Sequence, residues 1–381
     1  MKILINGSTL KKGGVLQVGH SLISELMKKS DHDYYYILSS ALKKDFKEYT
    51  NENNEHFYIY DVKPSAFLSI TGKEKRLKAI FTKINADVIF TIYAPSYWKP
   101  DCPHVCGYAK ASYLYPESPF KKDWSIIKKL RLPILRKLHM HDFKYFNDAL
   151  VTENEDVSRR LKKLMPSKEI YTVSNTYNQI FDKPEDWDKS IRLPEFKGIT
   201  LLTISANYKH KNLNIIPDVI AYLRDHYPDF YFRFVLTLKQ EELNSLKEEH
   251  KEHIIFLGRV SIQQCPYLYE QSDLMFMPTL LECFSATYPE AMKMGVPIVT
   301  SDIPFARSIC GDAAIYFDPL SAKSIGDTIF NIAMNQSNYS EFISRGKRRL
   351  SFFETAESRT QKYIEILEKV YETNHSKSQN G

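Results

Sequence analysis

The chain has 381 residues, 43% hydrophobic and 26% charged, with a formal net charge of +6. That length predicts two to three domains, and the composition is that of a folded globular chain, which excludes disordered and collagen-like classes. Five scattered cysteines exclude a disulfide framework, and no apolar run approaches the roughly 18 residues that cross a bilayer.

The opening "MKILINGSTLKKGG" turns polar too early for a secretory signal, so a cytoplasmic location is expected. "MKILIN" (1–6) reads as a strand, followed by a glycine turn and a helix from Val15 to Lys29. Further strands are expected over 34–40, 56–62, 86–93 and 148–154. Cys102 and Cys106 form a C-x3-C pair with no second Cys/His pair nearby, so they read as ordinary thiols.

The second half repeats the rhythm more cleanly. Strands are expected over 198–206, 230–237, 253–260, 272–279 and 297–302, with helices near 212–226, 240–249, 261–271 and 286–294. A small strand (314–318) and a last helix (354–373) follow. Short apolar strands alternating with helices predict parallel sheets covered on both faces. Residues 176–197 are polar, carry two prolines and lack a period, so a linker is expected there. The domains then run 1–175 and 198–350, and 351–381 forms a helix returning to the first domain plus a polar tail. Doubly wound domains bind ligands at the carboxyl ends of their strands.

The strongest signal is "SDLMFMPTLLECFSATYPEAMKMGVPIVTSD" (272–302). A strand ends near Thr279, a turn carries Glu282, and a helix beginning near Ser285 carries Glu290. The turn presents backbone N–H groups at a helix N-terminus, a site that stabilises phosphate oxygens. A carboxylate beside that anion site suits sugar hydroxyls, and Glu290 suits a ribose diol. Two glutamates eight positions apart also fit a solvated helix face. The apolar strand, Pro278, the loop glutamate, "PEAM" and Gly295-Val296-Pro297 together are far more specific.

This stretch resembles the E-x7-E signature of the retaining glycosyltransferases of family 4, and the similarity extends over most of 198–335. The resemblance implies a GT-B fold, two Rossmann-like α/β domains facing across a cleft. It implies transfer of a sugar from a nucleoside-diphosphate sugar, UDP or GDP, to a saccharide or lipid-linked acceptor in cell-envelope polysaccharide synthesis. By it, Glu290 binds the donor ribose, Glu282 contacts the donor sugar, and the backbone of Phe284, Ser285 and Ala286 cradles the diphosphate or sugar. Lys211 matches the lysine of the family's basic motif, whose arginine is replaced, with Lys209 as the nearest substitute. Arg259 and Val260, closing "HIIFLGRV", are assigned to the donor, as is the Gly13-Gly14 loop. Cys283 and Ser285 replace two family glycines. No histidine aligns with the family's acceptor-side histidine in "HVCGYAKASYLYPESPF" (104–120), which leaves Gly107, Tyr108 and Lys110 as acceptor-side candidates.

The resemblance implies metal-independent chemistry with no cofactor. The Asp-x-Asp matches "DHD" (31–33) and "DWD" (186–188) fall before a strand and in the linker, where solvated loops are expected.

Residues 120–145 hold eight Lys/Arg and two acids interleaved with Trp124, Ile126, Ile127, Leu130, Leu135 and Leu138. This reads as a basic amphipathic helix interrupted near Pro133. It suits an anionic membrane surface, and equally a core-packed helix with a solvated cationic face. Two other functions fit the architecture: a nucleotide-sugar 2-epimerase, and a non-catalytic partner of another transferase. Nucleic-acid binding is not expected, because no recognised binding module accompanies the charge.

Overall fold

The computed structural model describes residues 1–11, 13–50, 54–61, 75–93, 95–121, 124–244 and 246–379. The chain divides into two compact units. The first contains Met1–Pro116, Asp123–Asn175 and Glu354–Gly381, and the second contains Glu117–Lys122 and Thr176–Phe353.

The first unit is built on seven parallel strands: β1 (Lys2–Gly7), β2 (Asp33–Ser39), β3 (Phe57–Tyr60), β4 (Val88–Thr91), β5 (His104–Gly107), β6 (Ala149–Thr152) and β7 (Glu169–Thr172). Their order is β3-β2-β1-β4-β5-β6-β7. Ile3, Leu4 and Ile5 are all buried, because helices cover both faces and leave no solvent side on which polar residues could alternate. The helix Gly14–Leu26 supplies Leu22 and Ile23 to this core. The helix Ala356–Gln379 adds Tyr363, Ile364, Leu367 and Val370. Its fully buried Arg359 donates to Asn175 Oδ1 and, at 2.8 Å, to Ser21 Oγ.

The second unit has six parallel strands: β8 (Ile199–Thr203), β9 (Phe232–Leu236), β10 (Ile254–Phe256), β11 (Leu274–Met277), β12 (Ile298–Ser301) and β13 (Ala314–Phe317). Their order, β10-β9-β8-β11-β12-β13, is the doubly wound 3-2-1-4-5-6 arrangement, which reverses between its first and fourth strands. Leu201, Phe234, Phe276 and Val299 pack from this sheet against Ile220 of the helix Ile216–His226 and Ile325 of the helix Ala322–Met334. Two Rossmann-like parallel-sheet domains are thus present.

Several elements differ from the sequence reading. β5 and β7 are strands that it does not contain. Each has four residues, and β5 is made of "HVCG", with little β-branched character to mark it. The helix expected over 240–249 reduces to two short turns, Gln240–Glu242 and Glu248–Lys251. That over 261–271 shortens to Cys265–Glu270, where Pro266 in the first turn fixes the start.

Residues 176–197 do not hang free as a linker. Phe181 is buried, the Trp187 indole donates to Ile180 O at 2.8 Å, and Leu193 N donates to Gln271 Oε1 at 2.8 Å. The basic helix runs unbroken from Ile126 to Tyr145 through Pro133. Pro133 is exposed, so its ring is accommodated on the solvent side of the helix. Among the described residues no helix is long and apolar enough to cross a membrane.

Candidate functional site

The order of the second sheet reverses between β8 and β11, which lie side by side and parallel. Loops leaving the carboxyl ends of these two strands diverge to opposite faces and open a ligand crevice. After β8 the chain makes a tight turn at Lys209–Lys211 and enters a left-handed residue, Asn212, at φ +57°. The Asn212 amide donates to Pro319 O at 2.8 Å; its short polar side chain tolerates this conformation. After β11 a second turn leads into the helix Thr287–Met294. The two turns are laced together, since His210 O accepts from Leu280 N at 2.7 Å and from Thr279 Oγ1 at 3.2 Å.

This lacing brings together two residues 71 positions apart. Lys211 Nζ donates to Glu282 Oε1 at 2.7 Å, and each side chain is only 11% exposed. An ammonium has three donors, so Lys211 can keep Glu282 and still offer N–H groups to an incoming phosphate.

Glu290 lies in the first turn of the helix Thr287–Met294 and is 6% exposed. Its hydrogen-bond donor among the described residues is the Tyr269 hydroxyl, 3.3 Å from Oε2. Burial pushes its carboxyl up to about 7, while the Tyr269 hydrogen bond and the positive charge of Lys211 pull in the other direction. An ionised carboxylate accepts at about four lone-pair positions, so Glu290 has spare capacity that a vicinal diol would fill. Ser285 is buried with its hydroxyl 3.0 Å from Thr287 Oγ1, and Phe284 stands edge-on to Phe353. Ala286 is the N-cap of the helix, at the end where an anion is favoured. The arrangement combines a cation, a helix N-terminus and a diol acceptor, the three chemistries of a nucleoside diphosphate.

The remaining donor candidates are placed less closely. Lys209 is exposed at the start of the Lys211 turn. Arg259 is exposed and Val260 half-buried after β10, the edge strand two positions from β8.

In the first unit, Gly13 follows β1, beside β4 at that sheet's own reversal point. Gly13 has φ +74° and ψ −159°, a region that side chains exclude. Gly14 begins the helix, and a Cβ there would meet nothing within 4 Å. Packing therefore requires nothing of Gly14, and open space lies beside its backbone.

The acceptor-side candidates lie at and after β5 in the first unit. Tyr108 is fully buried, packed against Phe143 with its hydroxyl donating to Lys110 O at 3.1 Å. A Cβ on Gly107 would sit 1.7 Å from Ile92 O, so that glycine serves strand packing. Lys110 is half-buried and caps the short helix Ala111–Leu114. His104 is buried in β5 with Nε2 2.8 Å from Thr91 Oγ1 and Nδ1 2.8 Å from Phe146 O, and burial pushes it down to about 4. It is a core histidine.

A group that the sequence reading missed lies beyond β4. Asp142 of the basic helix accepts from Ser96 N, Ser96 Oγ and Tyr97 N at 3.2, 3.1 and 2.7 Å. These bonds hold Tyr97 at φ +59°, unusual for a non-glycine residue. One turn earlier His139 sits 2.7 Å from the Tyr113 hydroxyl. Burial pushes Asp142 up to about 6 and His139 down to about 4. Neither Tyr269 nor this group carries a spacing signal, since both depend on tertiary contact.

Residues 185–349 match the family of glycosyl transferases group 1. That group 1 segment contains Lys211, Glu282 and Glu290, while Gly13, Gly14 and the β4 turn lie outside it. The chain is 23% identical over 233 residues to the O-antigen chain mannosyltransferase RfbU of Salmonella typhimurium, covering 59% of this chain and 61% of that protein. It is 32% identical over 84 residues to the O-antigen chain mannosyltransferase B of Escherichia coli, covering 22% of each. The chain thus spans less than two thirds of these relatives. Among solved structures, a sucrose-phosphate synthase from Thermosynechococcus elongatus superposes with a TM-score of 0.70 at 12% identity, covering 98% of this chain and 100% of that one. WaaG, a glycosyltransferase involved in lipopolysaccharide biosynthesis, superposes with a TM-score of 0.66 at 11% identity, covering 96% and 99%. Both structures share the two-domain GT-B fold.

Proposed function

We propose that this chain is a glycosyltransferase that moves a sugar from a nucleoside-diphosphate sugar to a saccharide or lipid-linked acceptor in cell-envelope polysaccharide synthesis. The observation that carries the reading is the Lys211–Glu282 pair at the β8/β11 reversal, with the buried Glu290 on the helix that follows. The group 1 match and the O-antigen mannosyltransferase relatives support the same reading.

In this scheme Glu290 accepts from the ribose hydroxyls of UDP or GDP, and Lys211 and the helix N-terminus meet the diphosphate. Glu282 orients Lys211 and accepts from the donor sugar. As the glycosidic bond to the diphosphate breaks, negative charge grows on the leaving phosphate. A fixed cation and fixed dipoles there stabilise the transition state, each worth about 3–4 kcal/mol when lost. We assign the chain to the retaining, E-x7-E-bearing family 4 enzymes. The acceptor hydroxyl then attacks from the face the phosphate leaves, and the phosphate takes its proton. Lys211 supplies the charge that a metal would otherwise provide, which supports metal-independent transfer. The acceptor and its lipid place the enzyme on the cytoplasmic side of an anionic membrane surface.

The test is a thermal-shift series with UDP, GDP and their sugar conjugates in EDTA. Ligand at about 100 times its Kd stabilises the native state by about 2.7 kcal/mol. A melting shift for one nucleotide, lost in Glu290→Ala, is expected. The absence of a shift with every nucleotide overturns the donor-site reading and favours a non-catalytic partner.

A further inference from the structure

A short stretch of the chain, Glu117–Lys122, groups with the second unit although the residues on either side of it belong to the first. Two of its side chains reach the turns that carry Lys211 and Glu282. The buried Ser118 hydroxyl donates to Leu280 O at 2.8 Å. The Phe120 ring stands edge-on to His210 with centroids 5.8 Å apart, and His210 in turn stacks on Tyr208 at 5.6 Å.

Leu280 stands two residues before Glu282, and His210 is the residue before Lys211. The buried Leu280 gives its N–H to His210 O at 2.7 Å. Its carbonyl, equally removed from water, needs a donor of its own, and Ser118 supplies one. A path of contacts therefore runs from Ser118 through Leu280 to His210, and Phe120 packs on the far member. The 2.7 Å contact between Lys211 and Glu282 joins side chains from two different turns, so its geometry depends on how far apart those turns are held.

We propose that Ser118 and Phe120 are positioning residues for the Lys211–Glu282 pair, holding its two turns in register through Leu280 and His210. Fixed charges stabilise a developing phosphate charge without first having to reorient. How precisely such charges are held is set by the groups that pack and bond behind them. The matched group 1 segment, residues 185–349, contains neither residue. The donor turns are thus braced by a side chain 162 positions before Leu280. The positioning stands on this geometry, while its effect on a diphosphate rests on the donor-site reading proposed above.

The experiment is competitive acetylation of the full chain with trace acetic anhydride, read by mass spectrometry at Lys211 with the exposed Lys209 as internal reference. Wild type is compared with Ser118→Ala and with Phe120→Leu, which keeps apolar bulk and removes the ring edge. Lys211, 11% exposed, is expected to label far more slowly than Lys209 in wild type. In Ser118→Ala its rate should rise about fivefold, the change in local opening that one net hydrogen bond gives, with Lys209 unchanged. Phe120→Leu should raise it as well, and carries the comparison alone if Ser118→Ala does not fold. The second readout is affinity for UDP and GDP against uridine and guanosine. The diphosphates should lose about fivefold in the variants, and the nucleosides nothing, because Glu290 is held by Tyr269. Lys211 labelling as in wild type overturns the proposal, whatever binds. So does an equal loss for diphosphates and nucleosides, which marks a general loosening of the unit. Faster Lys211 labelling in a chain whose wild type binds no nucleotide supports the positioning and sinks the donor-site reading instead.

Discussion

Replacing Glu290 with glutamine separates what the residue costs the fold from what it does for a ligand. Burial holds the Glu290 carboxyl at about 7 against an ordinary 4.5. Between those values the folded chain keeps a proton that the unfolded chain has released. Stability therefore falls as pH rises from 4.5, and the loss is complete above 7. At about 1.4 kcal/mol per tenfold change in proton affinity, the penalty is about 3 kcal/mol. Glu290→Gln keeps the shape and an oxygen to accept from Tyr269, and it removes the buried charge. It is expected to raise the melting temperature of the second unit by roughly 6–12 °C at pH 8, with the difference vanishing below pH 4.5. Scanning calorimetry at the two pH values reads this directly. An equal shift at both, or a less stable variant at pH 8, refutes the claim that a charge only partly offset by Tyr269 and Lys211 is buried there. A more stable protein with weaker nucleotide binding would mark a residue kept for function at the expense of the fold.

Three further outcomes are expected. Lys211→Ala should lower turnover by roughly 10²–10³; a near-wild-type rate in a single-turnover assay removes Lys211 from the site. His104 and His139 should stay neutral to about pH 4, the unfolded chain taking up protons first as pH falls from 6.5. Ring-proton NMR titration midpoints near the ordinary 6.5 would contradict their burial. Gly13→Ala should cost roughly 1–3 kcal/mol because its backbone sits in a glycine-only region. Gly14→Ala, with open space around it, should fold as wild type and slow transfer. Equal stabilities for the two variants, read by chemical denaturation, would show that the difference in backbone does not matter.

Much of the frame was legible because buried parallel strands write themselves as apolar runs. "KILING" and "LMFM" announce β1 and β11, and the alternation with helices gives the fold class. β5 and β7 were hidden because four residues carry too little pattern. The turn bearing Glu282 and the helix bearing Glu290 were visible from local chemistry. The 2.7 Å approach of Lys211 to Glu282 depends on neighbouring strands, so no spacing rule reports it. An aromatic after a strand end fits a site lining or a core equally well in sequence, and the packing of Tyr108 against Phe143 is a tertiary contact that no spacing reports. The basic helix stays open in sequence between an anionic surface and a core-packed stripe, because composition fits both, and in the structure Ile126, Ile127 and Leu130 are exposed.

The return of the helix Ala356–Gln379 to the first unit has a consequence for how the protein is made. Tyr363, Ile364, Ile366, Leu367 and Val370 complete a core whose other buried side chains lie before residue 174. The whole of Thr176–Phe353 is synthesised between them. At 5–20 residues per second, this imposes a wait of roughly ten to forty seconds. The half that leaves the ribosome first is therefore the last to finish folding. Meanwhile its exposed β4 and helix Gly14–Leu26 surfaces must be kept from other chains until Arg359 reaches Asn175 and Ser21.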